Sequence, residues 1–447
     1  MLSKYPYLNE NYYVHEGPNI SAIRSLPDKY DEQLENGFIE AVISNDIVKI
    51  IKEFDGKTKL DDVIRILVNK YDEDYNQVKD GIENLINNYI CFEIKDEPTK
   101  INTLIKNGKD LLYPFKINID LTDYCNFKCK HCYNESDNKN KIFVDTDNLI
   151  DTFKDFNEKG VSVIELMGGE PLAHPNIDKI VDFFCENFDA INIVSNGSLL
   201  NQELIKKFKK YSNLSIQITL NSYEKEYHDW FCELDGSHEI VKNNIRLACD
   251  NGLNISVSMI ITPYNIYEMD NVAKMAYDIG TSNFKVGTIL SFGRATEDLI
   301  CKNNTDIIKR TNEVADKFPK GFIFKEPEHV VDTDVDRINC GAGYFNVGVN
   351  VNGDVSFCEV PIQGVSFGNI LNDDVDKLFK RLNNRNYHKL QEPNQKLCED
   401  CDYLDECKYC VVQGMKHYFD IGDKCKWGTN AEIQKYISEV KENEILE

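Results

Sequence analysis

The sequence predicts an α/β protein in which a partial (β/α)6 barrel stands between an N-terminal winged-helix-like domain and a C-terminal Cys-rich domain. Between residues 115 and 290, six strand-like apolar segments alternate with amphipathic helical segments. This alternation is typical of parallel α/β folds. Ten of the fifteen cysteines fall into two ordered groups, one at the start of the alternation and one near the end of the chain. Thiolates at short spacing are iron–sulfur or zinc ligands.

Residues 1–100 form the first predicted domain. Strand-like pieces around residues 12–14 and 20–23 precede three helical stretches, each with its apolar residues on one face, and a closing strand at 88–94. Helices followed by such a strand predict a winged helix. The segment up to Glu97 carries 20 acidic and 11 basic residues, which disfavours the DNA binding common among winged helices.

The barrel is predicted over residues 115–290. Its strands are expected at 116–121, 161–167, 190–195, 214–220, 254–261 and 283–290. Six units do not close an eight-stranded barrel, so the expected barrel is open, with active-site groups at the C-terminal ends of its strands. Residues 291–339 are predicted to be a bridge and 340–430 a Cys-rich domain that its metals organise for lack of an apolar core. A C-terminal helix is expected at 431–447.

The first cysteine group directly follows the first barrel strand. Cys125, Cys129 and Cys132 lie in the string CNFKCKHC. Three thiolates can hold a four-iron cluster and leave one iron open, whereas a structural zinc site needs a fourth nearby ligand, for which His131 is a candidate. Polar and glycine-rich segments end the next three strands: GGEP at 168–171, SNG at 195–197 and the residues around 219–221.

These motifs resemble those of the radical S-adenosylmethionine (SAM) superfamily. The resemblance implies that SAM chelates the open iron and that its reductive cleavage gives a 5′-deoxyadenosyl radical, so the three cysteines are catalytic. It also implies a set of cofactor-binding residues, namely His131, Gly168, Gly169, Glu170, Pro171, Ser195, Asn196, Thr219 and Asn221. One position departs from the pattern, because related maturases often carry an arginine where this chain has Cys232.

The second group contains Cys340, Cys358, Cys398, Cys401, Cys407, Cys410 and Cys425. Its order resembles the seven-cysteine SPASM domain, although the third spacer here is two residues instead of three. The resemblance implies that Cys398, Cys401, Cys407 and Cys425 ligate an outer auxiliary cluster and that Cys340, Cys358 and Cys410 ligate an inner one, which keeps an open iron. Zinc ribbons space their Cys-x2-Cys pairs more widely. The remaining cysteines, at positions 91, 185, 232, 249 and 301, are expected to be mainly structural thiols.

Composition indicates a cytoplasmic protein. No run of about 18 apolar residues and no signal peptide is present, and fifteen cysteines in a reducing compartment favour metal ligation over disulfides. The net charge of −24 disfavours nucleic acid and membranes as partners.

The N-terminal segment FDGKTKLDDVIRILVNKYDED resembles the peptide-recognition domain of ribosomal-peptide maturases, in which a leader peptide adds as a β-strand. A docking domain without a peptide role is the alternative. The full order, with NCGAG at 339–343, resembles sactipeptide and ranthipeptide maturases, including subtilosin-type thioether synthases. This implies three [4Fe–4S] clusters, SAM, a precursor peptide, a reductant such as flavodoxin or ferredoxin, and Cys sulfur-to-carbon cross-links. The alternatives are C–C cross-linking, sulfatase-type maturation or a zinc-binding peptide adaptor.

Overall fold

The structure, a computed structural model of the 447-residue chain, describes residues 1–10, 12–16, 20–25, 41–88, 91–101, 103–107, 113–139, 141–302, 304–323, 339–362, 364–407 and 410–442. The chain divides into two compact units. The first comprises residues 1–110 with 317–325, and the second comprises 111–316 with 326–447. None of the helices within the described ranges combines the length and hydropathy that a membrane span requires.

The strands of the first unit form two small sheets. They are β1 Tyr5–Leu8, β2 Tyr12–Glu16, β3 Ile20–Ser25, β4 Ala41–Ser44, β5 Phe92–Lys95 and β6 Leu104–Asn107. β1 pairs antiparallel with β5, and the other four are ordered β4-β3-β2-β6. The predicted strands are present as β2, β3 and β5, while residues 89–90 of the predicted closing strand lie outside the described residues. β1, β4 and β6 were not predicted, because each has only four residues and depends on its pairing partner.

The three helices of the first unit pack their apolar faces on one core. They are α1 Asn45–Lys52, α2 Leu60–Tyr71 and α3 Tyr75–Asn88. The turn between α1 and α2 is held by the Asp55 carboxylate, which accepts from the backbone N–H groups of Lys57 and Thr58 at 2.8 Å each. α2 ends at Asp72, whose φ of 59° is left-handed. Apolar residues of all three helices and of β1–β5 make up the core, among them Val48, Ile51, Phe54, Val63, Ile64, Ile82 and Phe92.

Six parallel strands form the centre of the second unit, which confirms the predicted partial barrel. They are β7 Lys116–Thr122, β8 Val163–Gly168, β9 Ala190–Ser195, β10 Leu214–Thr219, β11 Ile255–Ile260 and β12 Asn283–Gly287, in that spatial order. Two further strands extend the sheet beyond β7. β13 Asn346–Val349 pairs parallel with β7, and β14 Val355–Ser356 pairs antiparallel with β13. The Cys-rich segment therefore adds strands to the barrel sheet, which its sequence did not indicate.

Helices follow most of the strands. They are α4 Thr146–Phe153, α5 Ile177–Asn187, α6 Gln202–Phe208, α7 Lys225–Cys232, α8 Ser237–Asp250, α9 Met269–Ile279, α10 Asn304–Ala315, α11 Val375–Asn384, α12 Leu404–Cys407, α13 Val411–Ile421, α14 Lys426–Thr429 and α15 Ala431–Glu442. Alternate residues of β7 show how the sheet divides its two faces: Ile117, Ile119 and Leu121 are buried apolar residues, while Asn118 and Asp120 are polar.

The Cys-rich segment contains buried apolar residues, contrary to the expectation that it lacks an apolar core, and one of them, Phe379, packs on Tyr113 at the start of the barrel. Phe357, Phe367 and Tyr387 form a mutually packed trio, with the Phe357 ring 4.7–4.8 Å from the other two. Leu378, Phe379 and Leu382 of α11 are buried, as is Trp427. The loops between these elements hide the periodicity of their apolar residues in the sequence.

Candidate active site and metal centres

The first cysteine group lies in the loop that leaves β7. The backbone N–H of Cys125 donates to the Asp137 carbonyl oxygen at 2.9 Å, and the N–H of Phe127 donates to the Cys125 sulfur at 3.4 Å. Burial raises the pKa of the Cys125 and Cys132 thiols. Buried thiols of this kind ionise when a metal supplies the compensating charge. The three cysteines therefore fit a metal cluster.

The number of cysteines in the first group suits a multi-iron cluster with one open iron, whereas a structural zinc ion takes four ligands. A zinc ion needs ligand atoms within about 2.3 Å of one centre. A four-iron cluster takes one thiolate at each of several corners and so accepts a wider spread.

The loop after β12 clamps the cysteine loop, a contact that the sequence did not indicate. Gly293 has a left-handed φ of 57°, and a Cβ there would lie 2.3 Å from the Cys132 carbonyl oxygen. The Arg294 backbone N–H donates to that carbonyl at 3.0 Å. Its side chain donates to the carbonyl oxygens of Cys129 and Ser136, at 2.9 Å each. Arg294 thus brings a positive charge to the cysteine loop and fixes its backbone.

The end of α7 lies along the other side of the cysteine loop. The N–H groups of Lys128 and Lys130 donate to the carbonyl oxygens of Cys232 and Phe231. The His131 ring stacks on the Phe231 ring, with centroids 4.6 Å apart and planes 4° from parallel. Burial lowers the pKa of His131 to about 4, so its imidazole is neutral near pH 7. The stacking on Phe231 therefore holds the neutral His131 ring beside the cysteines.

The glycines after β8 pack against the same loop. Gly168 has a left-handed φ of 115°, and a Cβ on Gly169 would lie 2.1 Å from the Tyr124 carbonyl oxygen. The Gly169 N–H donates to the Thr122 carbonyl at 2.7 Å. Pro171 then opens a short 3-10 turn. Only residues without a side chain fit this close approach of two backbones.

Glu170 connects the ends of β8 and β9 and, through Asn196, the cysteine loop that follows β7. Its carboxylate is completely buried and accepts from the Leu172 N–H at 3.0 Å, the Ser195 hydroxyl at 2.7 Å and the Asn196 N–H at 2.8 Å. The Asn196 side-chain amide in turn donates to the Cys125 sulfur at 3.7 Å. Burial raises the pKa of Glu170 to about 7. Glu170, Ser195 and Asn196, predicted separately from their motifs, thus form one network.

Thr219 and Asn221 lie at the end of β10 and bond to neighbouring elements. The Thr219 hydroxyl is 3.2 Å from the Ser258 hydroxyl. The Asn221 side-chain oxygen accepts from the Ile260 N–H at 3.1 Å, and the Asn221 N–H donates to Nδ1 of His228 at 3.2 Å. Asn221 is almost completely buried. Its visible role is to hold the ends of β10, β11 and α7 together.

The inner members of the second group lie beside the barrel sheet. Gly348 of β13 approaches the Cys358 backbone so closely that a Cβ would lie 2.0 Å from its carbonyl oxygen. The thiols of Cys340 and Cys410 are both near Cys358. Burial raises the pKa of the Cys410 thiol to about 12, and the Gln413 N–H donates to its sulfur at 3.4 Å. The pairing of β13 with β7 places this group next to the strand that leads into the first group.

The outer members line one pocket. Cys398, Cys401, Cys407 and Cys425 surround it together with His417 and Trp427, among other residues. Burial raises the pKa of the Cys398 thiol to about 11, and the Gly428 N–H donates to the Cys425 sulfur at 3.3 Å. Four thiols around one enclosed space fit a fully ligated cluster.

Polar side chains lie between the first group and the inner group. The Tyr133 hydroxyl is buried without a hydrogen-bond partner, and burial and the charges of Asp120 and Glu359 raise its pKa. Asn134 donates to Asp120 at 3.0 Å, and Asn118 donates to Glu359 at 2.9 Å. Burial raises the pKa of Asp120 to about 7. Tyr133 is close to thiols of both groups, Cys132 of the first and Cys358 of the second.

Comparison with known proteins agrees with this geometry. Residues 119–276 match the model of the radical SAM superfamily, and residues 340–402 match that of the SPASM iron–sulfur cluster-binding domain. The chain is 25% identical to the antilisterial bacteriocin subtilosin biosynthesis protein AlbA of Bacillus subtilis, over 97% of this chain and 98% of that protein. It is 24% identical to the sporulation killing factor maturation protein SkfB of the same species, over 61% of this chain and 66% of that protein.

The fold is also that of a solved structure. Streptococcus suis SuiB bound to its precursor peptide SuiA superimposes with a TM-score of 0.60 at 12% identity, covering 92% of this chain and 97% of that one. The chain is a radical SAM enzyme. It belongs to the members of that superfamily that carry a C-terminal SPASM domain, and it binds iron–sulfur clusters and S-adenosylmethionine. The alternative of a zinc-binding adaptor is therefore wrong.

Proposed function

We propose that this enzyme modifies a ribosomally made precursor peptide by joining a cysteine sulfur to an acceptor carbon. The observation that carries this proposal is the pairing of β13 with β7, which brings the inner cysteine group beside the strand that leads into the first group. With clusters bound, the first group would supply the radical chemistry and the second would hold the substrate thiolate near it. The similarity to AlbA over nearly the whole chain supports the same reaction class.

The first group would hold the cluster that binds SAM. Cys125, Cys129 and Cys132 are its proposed ligands, and the bound cluster supplies the electron that cleaves SAM. Glu170 has one oxygen that accepts a single hydrogen bond, and this oxygen can also accept from the SAM ammonium. The positive charge that related enzymes place at position 232 comes here from Arg294, which lies against the same loop.

The second group would hold two clusters. Cys398, Cys401, Cys407 and Cys425 fully ligate the outer one, whereas Cys340, Cys358 and Cys410 leave an open iron on the inner one that binds the substrate thiolate. Mössbauer or ENDOR spectroscopy tests this assignment. An iron of the inner cluster should change its ligand when a cysteine-containing peptide is added, and four protein ligands in both states would contradict the open site.

The first unit would bind the leader of the precursor. Among the described strands, β4 is at one edge of the four-stranded sheet, and an extended peptide can add to such an edge by backbone hydrogen bonds. Deleting residues 1–100 should weaken processing of the full precursor and spare uncoupled SAM cleavage. Unchanged processing would remove the leader-binding role.

A reductant such as flavodoxin or ferredoxin would supply the electrons in a reducing, cytoplasmic setting. Fifteen cysteines proposed largely as cluster ligands fit such a compartment.

The decisive experiment uses a short Cys-rich peptide encoded next to the gene. Anaerobic reaction with SAM and reductant should remove two hydrogens per cross-link and one alkylatable thiol with each. A peptide with Ser in place of Cys is the matched control and should remain unmodified. Loss of two hydrogens with every thiol still alkylatable would indicate C–C cross-linking instead.

A further inference from the structure

The helix α11 and the residue that follows it carry a basic face on the surface of the Cys-rich segment. A concavity of about 430 Å³ there is lined by Lys377, Lys380, Arg381, Asn384 and Arg385. None of these described lining residues is acidic, and residues 377–391 contain no Asp or Glu although the whole chain has a net charge of −24. This basic face is therefore a local positive area on an acidic protein.

The two lysines of the basic face are accessible to a partner. Lys377 and Lys380 are exposed residues three positions apart on α11. Lys377 also pairs with Asp374 at 3.0 Å, but an ion pair at such an exposed site holds the lysine only weakly. Exposed charges of one sign steer proteins of the opposite charge to the surface that carries them.

Buried aromatic side chains join the basic face to the inner cysteine group. Arg385 donates to the Tyr387 hydroxyl at 3.1 Å, and the Tyr387 ring lies 4.7 Å from the ring of Phe357, the residue before Cys358. The Tyr387 carbonyl oxygen accepts from the side chain of Asn339 at 2.9 Å, and Asn339 directly precedes another member of the inner group. The inner group is thus only a few contacts from the basic face.

The helix α11 packs beside the N-terminal end of β7, away from the strand ends at which the substrate is expected. The hydroxyl of Tyr113, three positions before β7, donates to Asp376 of α11 at 2.6 Å, and the Tyr113 ring lies 4.6 Å from the Phe379 ring. Substrate chemistry in such barrels takes place at the C-terminal ends of the strands. A partner on the basic face therefore leaves that end of the barrel to the precursor peptide.

We propose that the basic face of α11 docks a one-electron carrier protein with an acidic surface, and that its electron enters at the inner cluster. The carrier loses one electron and the inner cluster gains it, while no covalent bond in this chain changes. Charge complementarity selects such a partner, and redox encounters use small interfaces of this kind. The proposal rests on the reductant and on the ligand set of the inner cluster proposed above.

The test uses the anaerobic full-length holoenzyme and a flavodoxin reduced to its hydroquinone. Stopped-flow absorbance follows the flavodoxin semiquinone that forms when one electron leaves. Lys377→Gln combined with Lys380→Gln should lower the second-order rate constant about tenfold at low ionic strength, and the difference should vanish in about 1 M salt, where the Debye length is about 3 Å. The matched control, Lys206→Gln combined with Lys209→Gln, removes two exposed lysines at the same spacing around the end of α6 and should leave the rate constant unchanged.

Calorimetric titration with oxidised flavodoxin gives a second readout that does not depend on electron transfer. The affinity should fall in the Lys377 and Lys380 double variant and stay unchanged in the control. Equal rate constants or equal affinities in the two double variants would overturn the docking surface. A loss of affinity for the precursor peptide with flavodoxin affinity unchanged would also overturn it, because the face would then belong to the peptide.

A variant of the inner group separates the entry point of the electron from docking. Replacement of Cys340, Cys358 and Cys410 together by Ala should keep the flavodoxin affinity and lose the fast phase of semiquinone formation, and a retained fast phase would overturn entry at the inner cluster. Failures of the earlier proposals are distinguishable. A wild type that never oxidises the flavodoxin would overturn the reductant, whereas full wild-type iron content in the triple variant would overturn the ligand set.

Discussion

The buried carboxylate of Glu170 should prove indispensable to the geometry of the SAM site, and Glu170→Gln tests this at constant size. Three donors point at the two carboxylate oxygens: Leu172 N–H and Ser195 O–H at one, and Asn196 N–H at the other. A glutamine has one oxygen, so whichever way its amide turns, the NH2 group faces a backbone N–H. One buried donor is left unpaired, at a cost of about 1–3 kcal/mol.

The assay is thermal unfolding of the anaerobic holoenzyme at pH 6, below the pKa of about 7 to which burial raises the Glu170 carboxyl, where its contribution to stability has not yet been lost. For a unit of this size the cost corresponds to a decrease in Tm of about 2–6 °C. Glu170→Ala leaves all three donors without their acceptor and should lower Tm further. SAM affinity should fall with Tm, because Asn196 also holds the Cys125 sulfur.

Glu203→Gln is the control for this series. Glu203 is an exposed residue of α6 that forms a surface ion pair with Lys207, so its substitution should change stability by less than about 0.5 kcal/mol. If Glu170→Gln and Glu170→Ala shift Tm and SAM affinity no more than Glu203→Gln does, the role assigned to this network is wrong.

Three other perturbations test the same site. Gly169→Ala places a Cβ 2.1 Å from the Tyr124 carbonyl oxygen and should lower both Tm and iron content. The control is Gly81→Ala in α3, where the added Cβ has no heavy atom within 4 Å, and it should be neutral or stabilising in the same measurements. Arg294→Met removes both side-chain hydrogen bonds to the cysteine loop and should lower iron retention during gel filtration. The same substitution at Arg246, an exposed residue of α8, should not. Equal iron retention in the two variants would contradict the clamp. Burial raises the pKa of Glu170 above its value in the unfolded chain, so the contribution of Glu170 to stability is present at acid pH and lost as pH rises through about 7. SAM affinity, which needs the carboxylate, should rise over the same interval. A calorimetric titration series in which SAM affinity is flat from about pH 5.5 to 8.5 would refute this dependence.

The barrel could be predicted because six strand-like segments rich in apolar residues alternate with amphipathic helical segments. All six predicted strands overlap β7–β12, and GGEP and SNG fall at their C-terminal ends, where the structure joins them through Glu170. The motifs could be recognised because each needs residue types that few other structures demand, such as the two glycines that meet the cysteine-loop backbone.

Contacts between distant segments were beyond sequence reasoning. β13 pairs with β7, which lies more than 220 positions earlier in the chain. β13 has only four residues, and nothing in its sequence NVGV indicates which strand it pairs with. Arg294 and Cys232 each contact the cysteine loop only because the tertiary structure brings them there. A lone arginine or cysteine in the sequence has no periodicity that would reveal such a role. The apolar core of the Cys-rich segment was hidden for the same reason, since its residues come from separate loops and α11.

The cleavage of SAM by the first cysteine group is the central claim, and a triple substitution of Cys125, Cys129 and Cys132 by Ala tests it most directly. The measurement is 5′-deoxyadenosine formed under reducing, anaerobic conditions, with iron content determined on the same samples. The wild type should form 5′-deoxyadenosine, and the triple variant should form none while keeping the iron of its SPASM domain. Formation of 5′-deoxyadenosine by the triple variant, or loss of all its iron, would contradict the separation of a SAM-binding site from the auxiliary sites.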